Sequence, residues 1–377
     1  MSKRAKIILG VLAIIIIGGL AWRGMAKPKV ISGDPIKFGA ILPLSGPVSI
    51  WGENVKNGME IARAEMDPSG DKISVVYGDS QGNPALAVTE FQKMSDVDGV
   101  DMVFSIFSRM SVPLVSLAKN KDLPYMMSIV SASGATGDNG NTFRFYSDAD
   151  QYVDPHLDWL SKDKYDSIAL LTINDEFGAD VVKVIRQRLV EKGIKIVADE
   201  TFLPNSVDLR TQLTKIKSTS PKAIIFVGGV PVELSSTLKQ KNELGIKADL
   251  IEASANLANI LANPEMANGI KLEGKSLAEG VYTIAFPFTM GITGQDFKVK
   301  YKEVYGKEAN YAAAFGYDMV KMVSLANGRD GVGLPEKIVS LGKYESLNGP
   351  VDVQSNGEIN PPTYSVLVKD GVLVPVK

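Results

Sequence analysis

From Ile36 onward the chain alternates short apolar runs with helical stretches, and this rhythm narrows the possible folds more than any other feature. Strands are expected at Ile36–Leu42, Ile73–Gly78, Met102–Ile106, Tyr125–Ile129 and Thr142–Tyr146. A second series is expected at Ser167–Ile173, Lys195–Phe202, Ala223–Val227, Asp249–Ala253 and Gly280–Ala285. Runs such as IALLTI and AIIFVG are apolar throughout, the pattern of parallel strands covered on both faces. Helical stretches fall between them. Asn83-Pro84 opens one, with Asn as N-cap and Pro at the first helical position. Others are expected over Phe177–Lys192, closed by Gly193, and over Ser206–Ser218 and Val232–Leu244. Regular βαβα order implies an α/β fold with doubly wound parallel sheets. Ten strands exceed one comfortable sheet, so two lobes are expected. The first series ends near Tyr146–Asp150 and the next begins at Tyr165, while Tyr364–Val374 reads as a hairpin turning at Asp370-Gly371.

The loops after these strands suggest what the fold is for. The run Ile36–Leu42 stops at Pro43, passes through Leu44–Ile50 and enters a helix near Trp51. A helix N-terminus presents free N–H groups and a positive dipole end. In open α/β sheets this is where small ligands bind. The loop has no catalytic group, so it reads as a cradle with the aromatic Trp51 at its mouth. Ser108-Arg109-Met110-Ser111 repeats the design before a helix expected to open near Pro113, as does Ser131–Gly134. Ser hydroxyls and helix-end N–H groups can hold a carboxylate, and Arg109 can add a bidentate grip on an anion. A plain surface arginine is the alternative. In the second half the equivalent loops are Asn174–Gly178, Gly228–Pro231 and Glu252–Ala255. Phe177 could close over an apolar ligand face or pack in the core; Glu252 could receive an ammonium or stand as a solvated loop acid.

Other features exclude function classes. No cysteine is present, so thiolate chemistry and disulfides are ruled out. His156 is the sole histidine and is expected on a solvated helix face; a triad or imidazole metal site lacks partners. No metal and no cofactor are expected. Gly269–Ser276 matches the phosphate-loop pattern GxxxxGK[ST] but has no strand before it and no helix after it, so it reads as coincidence. Asp79 and Asp101 near strand ends read as turn and cap residues. Lys3, Arg4 and Lys6 precede the apolar run Ile7–Leu20, with Gly24-Met25-Ala26 at a candidate cleavage site. Residues 1–26 are therefore expected to be a signal peptide or an uncleaved N-terminal anchor. Beyond them, 37 basic residues face 43 acidic ones, which argues against nucleic acid as a partner.

The segments PLSGPVSIWGENVKNGMEIA, DSQGNPALAV, NDEFGADVVKVI and PKAIIFVGG resemble the type I periplasmic solute-binding proteins, in particular the leucine/isoleucine/valine-binding branch serving ABC importers. The resemblance runs from Ile36 to the final hairpin. It implies two doubly wound, Rossmann-like lobes joined by three crossovers that act as a hinge, with ligand in the cleft and no enzymatic activity. It places Ser108 and the Val130-Ser131 pair where lobe one holds an α-carboxylate, and Trp51 on the ligand's apolar part. The chain departs from the family at Phe177, where Tyr is common, near Pro231, where an aromatic is missing, and near Ser254, where the ammonium-binding acid should fall; Glu252 is the nearest acid. The expected ligand-binding set is thus Trp51, Ser108, Arg109, Val130, Ser131, Phe177 and Glu252. The implied lobes are 34–148 plus 283–347 and 149–282 plus 348–377. The implied protein is an exported, periplasmic or extracytoplasmic monomer that binds an amino acid or similar small carboxylate. It would dock on an ABC permease or, alternatively, signal to a membrane partner.

Overall fold

The apolar runs of the first half pair into one parallel sheet. The structure, a computed structural model, describes residues 34–137, 140–262, 277–329 and 333–376; the leader 1–26 and the Gly269–Ser276 match lie outside them. The elements begin β1 (Ile36–Leu42), α1 (Ser49–Met66), β2 (Ile73–Asp79), α2 (Pro84–Lys93), β3 (Met102–Ile106), α3 (Ser108–Asn120), β4 (Tyr125–Ser128) and β5 (Thr142–Phe145). After α4 (Ala149–Leu157) a second series follows: β6 (Ser167–Ile173), α5 (Glu176–Glu191), β7 (Lys195–Phe202), α6 (Arg210–Thr219), β8 (Ala223–Val227), α7 (Pro231–Glu243), β9 (Asp249–Glu252), α8 (Asn256–Ala262) and β10 (Tyr282–Ala285). The chain ends with α9 (Gln295–Tyr305), α10 (Tyr311–Asn327), α11 (Leu334–Val339), β11 (Lys343–Ser346), β12 (Gly349–Asp352), β13 (Glu358–Ile359), β14 (Tyr364–Lys369) and β15 (Val372–Pro375).

Sheet one runs β13-β5-β4-β3-β1-β2 with every pairing parallel. Sheet two runs β15-β14-β10-β9-β8-β6-β7, parallel except for the two final strands. Both cores have the doubly wound order 2-1-3-4-5. Strand order reverses between β1 and β3 and again between β6 and β8, which opens a crevice at the carboxyl ends of those strands. The chain passes between the sheets after β5, after β10 and after β13. α10 returns to lie on α1, close enough that a Cβ on Gly58 would stand 1.9 Å from the Ala313 carbonyl and one on Gly316 2.1 Å from that of Val55.

β12 pairs with β11 in a separate two-stranded sheet, and β13 pairs with β5 in sheet one. Three expectations need correction. α3 begins at Ser108, a turn before Pro113, which sits inside it. α6 begins at Arg210, because the Leu209 N–H donates to Gln240 Oε1 at 2.7 Å and holds the preceding loop against α7. His156 is fully buried, not solvated. Its Nδ1 lies 3.0 Å from Ser365 Oγ, which also accepts from Trp159 Nε1. Burial pushes its pKa down to about 3, so it is a neutral core residue packed against β14. Asp79 and Asp101 serve as turn acids: Asp79 accepts from Leu44 N, Ser45 and Gln81 N, and Asp101 from Lys37 N.

Candidate functional site

The two reversal points face one another and enclose a cleft with about 730 Å³ of atom-free space, part of it open to solvent. Five of the six loops singled out in the sequence contribute to its wall; the third, Ser131–Gly134, does not, and Ile129 before it lines the cleft in its place. From the first lobe come Val48 and Trp51, Phe107 to Met110, and Ile129. From the second come Ile173, Asp175 and Phe177, then Gly228 to Val230 with Glu233, then Ser254 and Asn256. Phe107, Ile129 and Asn205 line the cleft with positive φ (+70°, +56°, +64°), and Ala255 (+56°) stands between two lining residues. For non-glycine residues, above all the β-branched Ile129, this is strained backbone of the kind that gathers at ligand sites.

The first-lobe wall is aromatic with unpartnered donors. Trp51 is 1% exposed, its ring 5.4 Å from Tyr311 and 6.1 Å from Phe107 by centroid. Its Nε1 and the Ser108 hydroxyl are buried without a hydrogen-bond partner among the described residues. The half-buried Arg109 guanidinium forms no hydrogen bond or ion pair there either, although its charge is felt by Asp175 across the cleft. α1 and α3 start at Val48 and Phe107, which supply no side-chain cap, and neither helix has an acid in its first turn. Their N-terminal N–H groups and dipoles favour negative charge.

The second-lobe wall carries acids instead. Asp175 caps α5, accepting the Gly178 N–H at 2.9 Å, and burial raises its pKa. Glu233 has no exposed surface and accepts the N–H groups of Asn205 (2.7 Å), Gly229 (2.7 Å) and Val230 (3.2 Å). Burial pushes it up to about 7 against the pull of those three donors, with Asp175 adding to the rise.

Of the expected residues, Trp51, Ser108, Arg109 and Phe177 meet in this cleft, whereas Val130, Ser131 and Glu252 do not line it. The left-handed Ile129 turns its own side chain to the cleft and sends Val130 into the apolar cluster with Met110, Leu114 and Met127. Ser131 is buried behind it, its carbonyl accepting from Ala149 N. Glu252 is not a solvated acid: it is fully buried, accepting from Ser254 Oγ, Thr283 Oγ1 and the Asn256 N–H (3.0 Å), and burial raises its pKa. It supports Ser254 and Asn256 from behind, so the acids an ammonium would meet are Asp175 and Glu233. Sequence reasoning missed Tyr146, Asn205, Glu233 and Tyr311. Glu233 looks like an ordinary first-turn helix acid, and the sequence gives no local sign that Tyr311 returns beside Trp51.

Residues 35–371 match the family model described as periplasmic binding protein. The chain is 25% identical over 295 residues to Leu/Ile/Val-binding protein homolog 7 of Brucella melitensis, covering 72% of this chain and 71% of that one. It is 22% identical over 369 residues to Leu/Ile/Val-binding protein homolog 1 of Brucella abortus, covering 93% and 92%. Its fold matches the branched-chain amino acid transporter substrate binding protein LivJ of Streptococcus pneumoniae in complex with isoleucine, with a TM-score of 0.76, 20% identity and coverage of 91% and 100%. It also matches an ABC transporter solute binding protein of R. palustris in complex with benzoate, with a TM-score of 0.76, 17% identity and coverage of 91% and 95%. These likenesses show the fold, that of the type I periplasmic binding proteins. The chain belongs to the periplasmic binding protein family, whose members are extracytoplasmic solute-binding proteins and not enzymes.

Proposed function

We propose that this chain is the solute receptor of an ABC importer and that its ligand is a small carboxylate with an apolar body. The observation that carries this reading is the cation Arg109 in the cleft, which has no hydrogen-bonding partner among the described residues, beside the buried Trp51 Nε1 and Ser108 Oγ, which have none there either. Buried donors left unpaired are costly, and a ligand carboxylate would satisfy all three. Trp51, Phe107 and Tyr311 would pack on the apolar body, and Phe177 would cover it from the second lobe. Isoleucine, benzoate and 3,4-dihydroxybenzoic acid, held by three solved proteins of this fold, are all carboxylates with apolar bodies. Contacts from both walls favour the closed form, so ligand shifts a hinge equilibrium between lobe 34–148 plus 283–359 and lobe 149–282 plus 360–377. The closed form then delivers its ligand to the permease.

The test is a panel of isoleucine, leucine, benzoate and 3,4-dihydroxybenzoate, with a neutral sugar and a polyamine as contrasts, measured by thermal shift and calorimetry. The expected result is one-to-one binding of at least one carboxylate, lost in Arg109→Ala. Binding confined to the sugar or the polyamine would overturn the reading.

A further inference from the structure

An anion-binding helix N-terminus works because backbone N–H groups point at the ligand and the dipole favours negative charge. The cleft contains four such helices of adequate length, and they differ by lobe. In the first lobe the starts of α1 and α3 have no side-chain cap and no acid in the first turn, and the buried donors beside them, Trp51 Nε1 and Ser108 Oγ, have no partner among the described residues. In the second lobe the same position on α7 is already filled. The Glu233 carboxyl takes the Gly229 and Val230 N–H groups at the start of its own helix, and the Asn205 N–H from the loop after β7. All three donors belong to residues that line the cleft. Three backbone N–H groups converging on one carboxyl is what a bound ligand carboxylate would receive there. A Cβ on Gly228 would stand 2.5 Å from the Phe226 ring and 3.1 Å from Glu233 Oε2, so the chain passes close to both. Asp175 fills the start of α5 in the same way.

We propose that Glu233 is a specificity-determining residue: it occupies the second lobe's anion position from within, so the cleft accepts ligands with one anionic end and rejects dicarboxylates. This rests on the carboxylate reading above. A second carboxylate would find its donors taken and would meet two acids, Glu233 and Asp175, in a desolvated space, with Arg109 on the opposite wall. Once Glu233 has lost its proton, above about pH 7, like-charge juxtaposition opposes the second carboxylate, so the test is run at pH 8.

The experiment uses matched pairs differing by one carboxylate, benzoate against terephthalate and isovalerate against methylsuccinate, titrated calorimetrically into wild type, Glu233→Ala and Glu233→Gln. Wild type is expected to prefer the better-bound monocarboxylate over its partner by about 100-fold. In either variant that melts cooperatively, the gap is expected to narrow to about tenfold or less, chiefly because the dicarboxylate gains. Wild type binding both members of a pair within about threefold overturns the inference without touching the carboxylate reading. So does an unchanged hundredfold gap in the folded variants. Failure of wild type to bind any monocarboxylate overturns both. A wild-type ratio within about threefold would overturn the inference even if both variants failed to fold.

Discussion

In the first lobe, α1 and α3 enter the cleft from Val48 and Phe107, with bare N-termini flanked by Trp51 Nε1, Ser108 Oγ and Arg109. In the second, α5 and α7 enter it with Asp175 and Glu233 already seated on their N–H groups. The backbone plan is otherwise shared: the same strand order, the same reversal point, and a glycine that brings the first helix onto its strand end. A Cβ on Gly52 would stand 2.1 Å from the Pro43 carbonyl, and one on Gly178 2.0 Å from that of Ile173. One scaffold used twice thus gives one wall that recruits an anion and one that supplies its own. A ligand carboxylate is directed to the first lobe, and closure brings the second lobe down on the ligand's other side.

The shared part of the plan gives the largest expected effect. Gly52→Ala and Gly178→Ala each drive a methyl into backbone that cannot step aside, and each should cost about 3 kcal/mol of stability by urea denaturation. Tolerance in one lobe and not the other would show that the two helices are not held alike. The differing part comes next. Arg109→Ala should weaken carboxylate binding about 100-fold, the loss of a charge-assisted hydrogen bond in a partly desolvated site. Asp175→Asn, on the opposite wall, should leave affinity unchanged or tighten it. Equal losses in both variants would erase the distinction between the walls.

Acidity offers a third comparison. Glu233 is lifted by burial from 4.5 to about 7, and Asp318, buried far from the cleft wall beneath the Tyr344 hydroxyl and the Leu347 N–H, from 3.8 to about 7. Both folded-state values lie above the unfolded ones, so the folded chain holds these protons longer. The stabilisation is fully present below about pH 4 and is lost as pH rises through 7. Each acid should contribute roughly 3 to 4 kcal/mol to that decline. Glu233→Gln and Asp318→Asn should each flatten the fall in stability between pH 4.5 and pH 8, the remainder coming from other acids that burial raises, Asp175 and Glu252 among them. Unchanged slopes in both variants would mean that the donors around these carboxyls outweigh burial.

Most of this architecture was legible because it is written in local chemistry. The β-rich run at Ile36–Leu42, interrupted only by Lys37, the Asn83-Pro84 cap, whose side chain accepts from Ala85 N and Leu86 N, and Gly193 after α5 each act within a few residues. The loops around the cleft were legible for the same reason, since a strand end feeding a helix marks the crevice. What the sequence hid is set by distant pairings. His156 resembles any exposed helix residue until β14 brings Ser365 Oγ to 3.0 Å from its Nδ1. Val130 and Ile129 exchange faces through a single positive φ that no composition signals. Glu252 and Glu233 are both acids near strand or helix ends, and only the position of Ser254, Thr283 and the Asn205 loop decides that the first is a buried support and the second a wall.

The smallest expected effect tests the recruiting wall most directly. Trp51→Phe keeps an aromatic ring against Phe107 and Tyr311 but deletes the Nε1–H, which in the free protein donates to nothing among the described residues. A buried donor without a partner destabilises the free state, so its removal should offset the smaller volume of Phe and leave free-protein stability within about 1 kcal/mol. The bound state is different, because there the N–H would donate to the ligand carboxylate. Affinity for the best carboxylate should therefore fall about fivefold, a loss of about 1 kcal/mol. The two measurements must be made on the same variant: a drop in affinity with intact stability assigns the indole N–H to the ligand. Undiminished affinity would leave Trp51 as packing alone, and the anion would then be held by Ser108, Arg109 and the starts of α1 and α3.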